Sequence, residues 1–317
     1  MIIDRLLNEK PLPFLNSMDL QTGKILVIGS SNTDMVVKTS CFPKPGETIL
    51  GGDFIMNPGG KGANQAVAAA RLGANIKFIT KIGTDVFGAY TLEALKKESI
   101  DTGSIIEASN YPSGVALITV NDKGENTIVV ASGANMQLDP NEISDELLQE
   151  ADIILLQLEI PLPTINDIAD RAKRYNKKLV LNPAPATDLP DELLDGLFLV
   201  TPNERETEML TGIYPSDEES MEQAGNYLLE KGVQNIAITL GSKGVFLMNA
   251  AGKYLIPAPS VRALDTTAAG DVFNGALVTA VAEGMCLPEA CSFACRAAAI
   301  AVTRMGAQAS APFRNEL

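Results

Sequence analysis

Nearly continuous apolar segments alternate with helical ones along this chain, and the alternation constrains the fold more than any other feature. The apolar segments are ILVIG (25–29), IKFIT (76–80), DIILLQL (152–158), KLVLN (178–182), LFLVT (197–201) and NIAITL (235–240). Strands of this kind are buried on both faces, as in a parallel sheet covered by helices. Helices are predicted at 62–72, 86–98, 143–149, 163–175 and 216–231. The pattern predicts an α/β fold with a doubly wound, mostly parallel sheet flanked by helices, whose ligands gather at the carboxyl ends of the strands.

Two stretches, residues 31–58 and 111–131, depart from this alternation. They contain segments of period two (MVVKTS, ETILGGDFIM, GVALITV and NTIVVAS), and no helical segment covers them. We therefore predict a small β-sheet lid inserted into the α/β frame. Residues 1–23 are predicted to be an N-terminal extension, and residues 24–317 one domain that carries the lid.

Composition excludes several classes of protein. The net charge of −14, without a block of Lys and Arg to offset it, argues against nucleic-acid binding. The absence of histidine excludes Ser-His-Asp triads and histidine-ligated zinc, so a general base must be Asp, Glu, Lys, Tyr or Cys. No apolar run approaches the length of a membrane span, and the first residues make a poor signal peptide. We expect a cytoplasmic protein.

The segment DTTAAGD (265–271) is the strongest local signal, because two carboxylates flank tiny residues just before an apolar helix. Asp271 as an N-cap is one interpretation. The other is an anion site, in which small residues leave backbone N–H groups open to a ligand beside an acid. NPGGKGAN (57–64) and LGSKG (240–244) are also rich in glycine, but neither the P-loop pattern nor G-x-G-x-x-G is present. Taken alone, NPGGKGAN is as well explained by a turn that starts a helix.

These motifs together resemble those of the carbohydrate kinase family that includes ribokinase, fructokinase, adenosine kinase and the B-type phosphofructokinase. GGKGANQAVAAARLGA and DTTAAGDVFNGAL resemble the two family signatures, and GSSNTD, QLE, NPAPA, TPNE, ITLGSKG and AVTRMGAQAS follow in the expected order. The similarity runs from about residue 24 to residue 315. It implies a ribokinase-like fold and ATP-dependent phosphorylation of D-ribose at the 5-hydroxyl. Phosphorylation of 2-deoxyribose, fructose or a nucleoside is the alternative, and a non-catalytic sugar-binding regulator is a weaker one.

The resemblance also implies roles for individual residues. Asp271 would be the general base, and the N–H groups of Ala268, Ala269, Gly270 and Asp271 would form the anion hole. The family usually has glycine where this chain has Ala268, and a methyl group is tolerated there if φ is negative, so we expect a negative φ. Sugar recognition would fall on Asn32, Asp34, Gly60, Lys61, Asn64 and Glu159, together with Asp271.

For the nucleotide, the resemblance implies ATP contacts from Asn203, Glu206, Thr239, Gly241, Ser242, Gly244, Gly270 and Cys295. Asn203 and Glu206 would also place Mg²⁺ through water, since Mg²⁺ keeps several of its waters. An activating K⁺ would be held by Asp265, Thr267, Ala301, Arg304, Gly306 and Ser310, mostly through backbone carbonyls. A homodimer formed through the lid sheets is expected as well.

Overall fold

The computed structural model describes residues 22–317, and within this range the chain forms fourteen β-strands and nine α-helices. The strands are β1 (Lys24–Ile28), β2 (Asn32–Lys38), β3 (Phe54–Gly59), β4 (Asn75–Ile79), β5 (Lys81–Gly83), β6 (Ile106–Ala108), β7 (Gly114–Val120), β8 (Asn126–Ala131), β9 (Ile153–Leu156), β10 (Lys178–Leu181), β11 (Leu199–Val200), β12 (Asn235–Thr239), β13 (Val245–Asn249) and β14 (Gly252–Ile256). The helices are α1 (Lys61–Arg71), α2 (Val86–Lys97), α3 (Asp145–Glu150), α4 (Leu162–Arg174), α5 (Asp191–Leu194), α6 (Glu204–Thr211), α7 (Glu218–Glu230), α8 (Ala269–Ala282) and α9 (Leu287–Ala301).

The central sheet has eight strands in the order β14-β13-β12-β11-β10-β9-β1-β4. Its six strands from β12 to β4 are parallel, and β13 and β14 add an antiparallel edge. Two apolar cores cover the two faces of the sheet: α1, α2, α8 and α9 pack on one face, and α3, α4, α5 and α7 pack on the other. The prediction of a doubly wound, mostly parallel α/β sheet is therefore confirmed.

A second sheet of four strands, in the order β3-β2-β7-β8, stands beside this frame. We call it the lid sheet. Its central pair, β2 and β7, is parallel, and the outer strands β3 and β8 are antiparallel to their neighbours. Only three residues separate β1 from β2, so the lid sheet begins directly at the carboxyl end of a central strand.

The structure corrects several details. Residues 47–53 are not a strand. Lys38 exchanges backbone hydrogen bonds with residues 52 and 53, but β3 begins only at Phe54. The antiparallel pair β13–β14 and the helix α6 were not predicted. The predicted N-terminal extension lies outside the described residues, apart from Thr22 and Gly23. Within residues 22–317, no helix is both long and apolar enough to cross a membrane.

Candidate active site

The proposed site residues meet at the carboxyl ends of the central parallel strands, where an open α/β sheet places its ligands. Asn32 follows β1, Glu159 follows β9 and Asn203 follows β11. The N-termini of α1, α6 and α8 point to the same place, so backbone N–H groups converge there with the side chains. Gly275 lets α8 approach α1 closely, since a Cβ at this position would lie 2.6 Å from the carbonyl oxygen of Gln65.

Asp271 is buried in the first turn of α8. It is not the N-cap, which is Ala268, so capping does not explain this carboxylate. Asn64 donates a hydrogen bond of 2.9 Å to Oδ2, and Gln65 donates one of 3.0 Å to Oδ1. Burial raises the pKa of Asp271, while Lys61 and these two donors oppose the rise. The result is a fixed carboxylate with a strengthened affinity for a proton, as a general base requires.

Ala268 adopts a left-handed conformation, with φ 58° and ψ 12°. The expectation of a negative φ at this residue was wrong. A left-handed residue followed by right-handed ones turns successive N–H groups toward one side and forms an anion-binding concavity. The methyl group makes this backbone less favourable by about 1–2 kcal/mol. The strain indicates that the turn geometry is imposed by its surroundings.

Fewer N–H groups are available to the anion hole than expected. The N–H group of Ala269 is hydrogen-bonded to the carbonyl of Thr266 at 3.3 Å. Those of Gly270 and Asp271 lie in the first turn of α8, where an α-helix has no internal acceptors. We therefore expect Gly270 and Asp271 to be the main donors to a bound anion.

The start of α1 is shaped by Gly60 and Glu159. Gly60 has φ 89°, and a Cβ there would lie 2.7 Å from the backbone nitrogen of Asn32, so both conformation and space require glycine. The Glu159 carboxylate accepts hydrogen bonds from the hydroxyl of Ser30 and, at 3.1 Å, from the N–H group of Lys61. The motifs GSSNTD, GGKGAN and QLE are thus joined at a single helix N-terminus.

Asn32 and Asp34 lie at alternate positions of β2, so they share a face of the lid sheet. The buried Asn135 donates a hydrogen bond of 2.8 Å to the side-chain oxygen of Asn32 and so fixes its orientation. Asp34 packs against Gly59, where a Cβ would lie 2.3 Å from the carboxylate. The orientation of Asn32 therefore depends on the Asn135 amide, and the space for Asp34 depends on Gly59.

Negative charge predominates in the site. Asp34, Glu159, Glu206 and Asp271 surround one cation, Lys61. Burial opposes the charge on Lys61, yet Asp271, Glu159 and Glu206 raise its pKa. Burial also raises the pKa of Glu206, and Asp271 adds to the rise. Lys61 lines a small cavity together with Asp271 and Glu206.

Burial, with Glu159 and Asp271 nearby, raises the pKa of Asp34 from 3.8 to about 7. The folded chain then binds a proton at Asp34 more tightly than the unfolded chain, so this residue lowers the free energy of unfolding as the pH rises from about 4 to 7. We expect Asp34→Asn to stabilise the ligand-free protein more at pH 8 than at pH 5. Urea unfolding at both pH values, with the exposed Asp53→Asn as control, tests this. Equal stabilisation at the two pH values would contradict it.

Two adjoining cavities hold the expected nucleotide residues. The small one, of about 180 Å³, lies between Lys61, Asn182, Asp271 and the start of α6. The larger one, of about 760 Å³, is lined by Asn203, Thr239, Gly241, Ser242, Gly244, Gly270 and Cys295, among others. Gly270 and Thr239 border both, so the two cavities adjoin each other at these residues. Burial raises the pKa of Cys295 to about 11, which keeps its thiol neutral.

Asn203 and Glu206 form a reciprocal cap at the start of α6. The Asn203 side chain accepts from the N–H groups of Arg205 and Glu206, and Glu206 Oε2 accepts from the N–H group of Asn203 at 2.8 Å. Glu206 Oε2 is thus engaged in the cap, and the Glu206 side chain lines the small cavity together with Asp271. A buried acid with a raised pKa next to another acid fits a hard cation held through water.

Asp265 joins two loops. Its Oδ1 accepts a hydrogen bond from the N–H group of Thr267, and its Oδ2 accepts one from Gly306, both at 2.9 Å. Partial burial disfavours the charge, but hydrogen bonding by the Thr267 side chain and by the N–H groups of Gly306 and Thr267 outweighs burial and lowers the pKa of Asp265. The other residues expected around K⁺ lie on the adjoining segment 301–310. An ionised carboxylate is an oxygen ligand of the kind that a hard monovalent cation prefers.

Sequence reasoning missed several buried polar residues of the site. They are Ser30, Gln65, Asn135, Gln157, Asn182, Thr201 and Asn274. The hydroxyl of Thr201 donates to Asn274 at 2.6 Å, and Asn274 donates to the carbonyl of Gly270 at 2.8 Å, which braces the first turn of α8. The available signal was a polar residue at the end of an apolar strand, as in Gln157, Asn182 and Thr201.

Comparison with known proteins agrees with this geometry. The family described as pfkB family carbohydrate kinase matches residues 22–314. Ribokinase from Haemophilus influenzae is 46% identical over 294 residues, which cover 92% of this chain and 96% of that protein. The solved structure of Arabidopsis thaliana ribokinase complexed with ribose and ATP has a TM-score of 0.87 and 32% identity, covering 93% of this chain and 97% of that one. Deoxyribokinase from Salmonella typhi is 37% identical over 291 residues, 91% of this chain and 95% of that protein.

The fold and the site therefore define a carbohydrate kinase. The chain belongs to the pfkB family of carbohydrate kinases, matched over residues 22–314.

Proposed function

We propose that the chain transfers the γ-phosphoryl group of ATP to the 5-hydroxyl of D-ribose and releases D-ribose 5-phosphate and ADP. One observation carries the proposal. The buried Asp271 carboxylate accepts hydrogen bonds from Asn64 and Gln65 and lies in the first turn of α8. The free N–H groups of the same turn border the larger cavity, which has the size of a nucleotide. The relatives named ribokinase, and the one solved with ribose and ATP, support ribose as the acceptor.

In the proposed reaction Asp271 accepts the proton of the sugar hydroxyl as this oxygen attacks the γ-phosphorus. The N–H groups of Gly270 and Asp271 stabilise the charge that develops on the transferred group, in a position fixed before the reaction. Lys61 neutralises part of the surrounding negative charge. Asn203 and Glu206 are proposed to hold Mg²⁺ through water, and the cation would neutralise the nucleotide phosphates.

On the sugar side, Asn32, Asp34, Asn64 and Glu159 offer donors and acceptors to the hydroxyl groups of a pentose. Asn64 has a side-chain oxygen, Oδ1, that is buried and unpartnered within residues 22–317. Such an atom costs free energy unless a ligand hydroxyl meets it. Gly60 lets the sugar approach the backbone at the start of α1.

The alternative acceptor is 2-deoxyribose, which a relative named deoxyribokinase favours. Coupled ADP-release assays with ribose, 2-deoxyribose, fructose and a nucleoside distinguish the alternatives. We expect the highest kcat/KM with ribose. A higher kcat/KM with another sugar would mean that this sugar, and not ribose, is the acceptor. Sugar binding without turnover would mean that the chain is a sugar-binding regulator.

We also propose that K⁺ activates the enzyme by holding the loop of Asp265, without touching the substrates. We expect the rate to rise when KCl is titrated into K⁺-free buffer at constant ionic strength, with Na⁺ and Li⁺ less effective. Asp265→Ala should lose this response, because it removes the only carboxylate among the residues proposed to hold the cation. A flat titration of the wild type after rigorous removal of K⁺ would contradict the proposal.

The lid sheet is proposed to pair with a second copy of this chain. Met56, Leu117 and Val129 lie in one cross-strand row through Met35, on the face opposite to Asp34, and are 37%, 53% and 67% exposed. An apolar row of this kind favours burial against a partner. We expect Leu117→Lys to convert a dimer into a monomer in sedimentation experiments, whereas Val86→Lys, on exposed α2, should not. A monomeric wild type would contradict the proposal.

The division into an extension, residues 1–23, and one domain with an inserted lid remains our proposal. So does a cytoplasmic location. All four cysteines are free, and free thiols are typical of a reducing compartment.

A further inference from the structure

Gln65 has a part in the site that its motif does not explain. It follows Asn64 in α1, and its side chain is fully buried. Its Nε2 donates hydrogen bonds of 3.0 Å to Asp271 Oδ1 and 3.0 Å to Asn182 Oδ1. Its Oε1 accepts a hydrogen bond of 2.7 Å from Nε2 of Gln157, a residue that is also fully buried.

The direction of these hydrogen bonds is fixed by chemistry. An ionised carboxylate only accepts, so the amide nitrogen of Gln65 must face Asp271. The amide oxygen then faces Gln157, which must donate. Gly29 makes room for the Gln157 amide, since a Cβ at Gly29 would lie 2.0 Å from Gln157 Oε1. Three segments that are remote in sequence, containing Gly29, Gln157 and Asp271, therefore favour a single orientation of the Gln65 amide.

We propose that Gln65 is a positioning residue for phosphoryl transfer, which orients the Asp271 carboxylate and supports its ionised form, and that Gln157 fixes the amide of Gln65. The inference rests on the proposed function, in which Asp271 is the general base. Asn64 holds Oδ2 and Gln65 holds Oδ1, so the two donors together fix the plane of the carboxylate.

The same amide connects the base to the anion hole. Asn182, which accepts from Gln65, donates to the carbonyl of Thr201 at 3.2 Å. From Thr201 the hydrogen bonds continue through Asn274 to the carbonyl of Gly270. A change at Gln65 therefore reaches both the acceptor of the proton and the turn that stabilises the phosphoryl group.

The charged groups that face Asp271 come from four elements. Lys61 on α1 favours its ionised form, whereas Glu159 after β9, Glu206 on α6 and Asp34 on β2 oppose it. Because the carboxylates outnumber the lysine, the neutral donors Asn64 and Gln65 matter for ionisation. Loss of one donor to a carboxylate raises its pKa.

The test is the pH profile of kcat/KM for the sugar. Gln65→Met keeps the length of the side chain but cannot donate. We expect kcat/KM at neutral pH to fall about 10- to 100-fold, in line with the loss of a hydrogen bond to a charged group. The acid limb of the profile should move to higher pH. Gln157→Met should move it in the same direction by less, because the Gln65 donor remains but is no longer oriented.

Gln65→Glu keeps the shape and places a carboxylate against Asp271, so the acid limb should move further up than in Gln65→Met. Thr279→Val is the matched control. Thr279 is buried in α8, and within residues 22–317 its hydroxyl donates only to the Gly275 carbonyl of its own helix, at 2.7 Å. This variant should lose thermal stability and keep the acid limb of the wild type.

If Gln65→Met does not fold, Gln65→Glu and Gln157→Met decide. An acid limb that is unmoved in the folded Gln65 variants, or the failure of all three variants to fold, would overturn the assignment of Gln65. If the wild type phosphorylates ribose in these experiments, that negative result concerns Gln65 alone. A wild type that phosphorylates no sugar would overturn the proposed function and this inference together.

Discussion

Asp271→Asn is expected to lower kcat for ribose phosphorylation by about 10²–10⁴-fold, the usual cost of losing a general base. The substitution keeps the shape of the side chain but removes its ability to take a proton. It also brings an NH₂ group against Asn64 or Gln65, both of which donate to this position in the wild type. Steady-state kinetics give kcat, and calorimetric titration with ribose and with ATP should show that binding is largely retained.

The matched control for this prediction is Asp217→Asn. Asp217 is the exposed N-cap of α7, and asparagine caps helices as well as aspartate does. Its kcat should equal that of the wild type. If Asp271→Asn kept a kcat near that of the wild type, Asp271 would not be the base, whatever its position.

Asn32→Ala is expected to raise KM for ribose by about 5- to 150-fold, which corresponds to about 1–3 kcal/mol for buried polar partners left unpaired. Asn135 orients the Asn32 side chain on the face of β2 that we propose binds the sugar, so the substitution removes an oriented contact. KM for ATP should change little, because the nucleotide cavity lies across the site. Initial rates with each substrate varied in turn provide the measurement.

Thr33→Val is the control for Asn32→Ala. Thr33 is the next residue along β2, is buried, and has a hydroxyl oxygen without a partner in the described chain. Removing that hydroxyl should leave both KM values unchanged. Equal rises in KM for ribose and for ATP in Asn32→Ala would indicate a general folding defect and not a sugar contact.

The fold could be predicted largely from sequence because its central strands are buried on both faces. Their apolar runs are visible without knowledge of the partners, as at 25–29 and 152–158. The antiparallel strand β14 was missed because most of it is exposed, so its residues carry no continuous apolar run. Strand pairing, and not local composition, defines this edge.

The candidate site likewise contains residues that could be predicted from the sequence and residues that could not. The residues of GGKGAN and DTTAAGD could be selected because the two motifs resemble the family signatures, although a turn or an N-cap at a helix start could explain each motif alone. The φ of Ala268 could not be predicted, since the surrounding turn imposes it against local preference. Gln65 and Gln157 were missed because their roles arise from contacts over 92 and 206 positions in sequence.

The excess of carboxylates over Lys61 has a consequence for how the enzyme completes its cycle. Free ribose is neutral, so it enters beside Asp34, Glu159 and Asp271 without electrostatic opposition. In the proposed reaction it becomes an anion in the same place, next to Asp34 and Asp271, whose pKa values are raised by burial and by neighbouring carboxylates. Like charges repel more strongly in a poorly solvated pocket than in water. We therefore expect the sugar phosphate to leave readily and, when it accumulates, to inhibit further turnover only weakly.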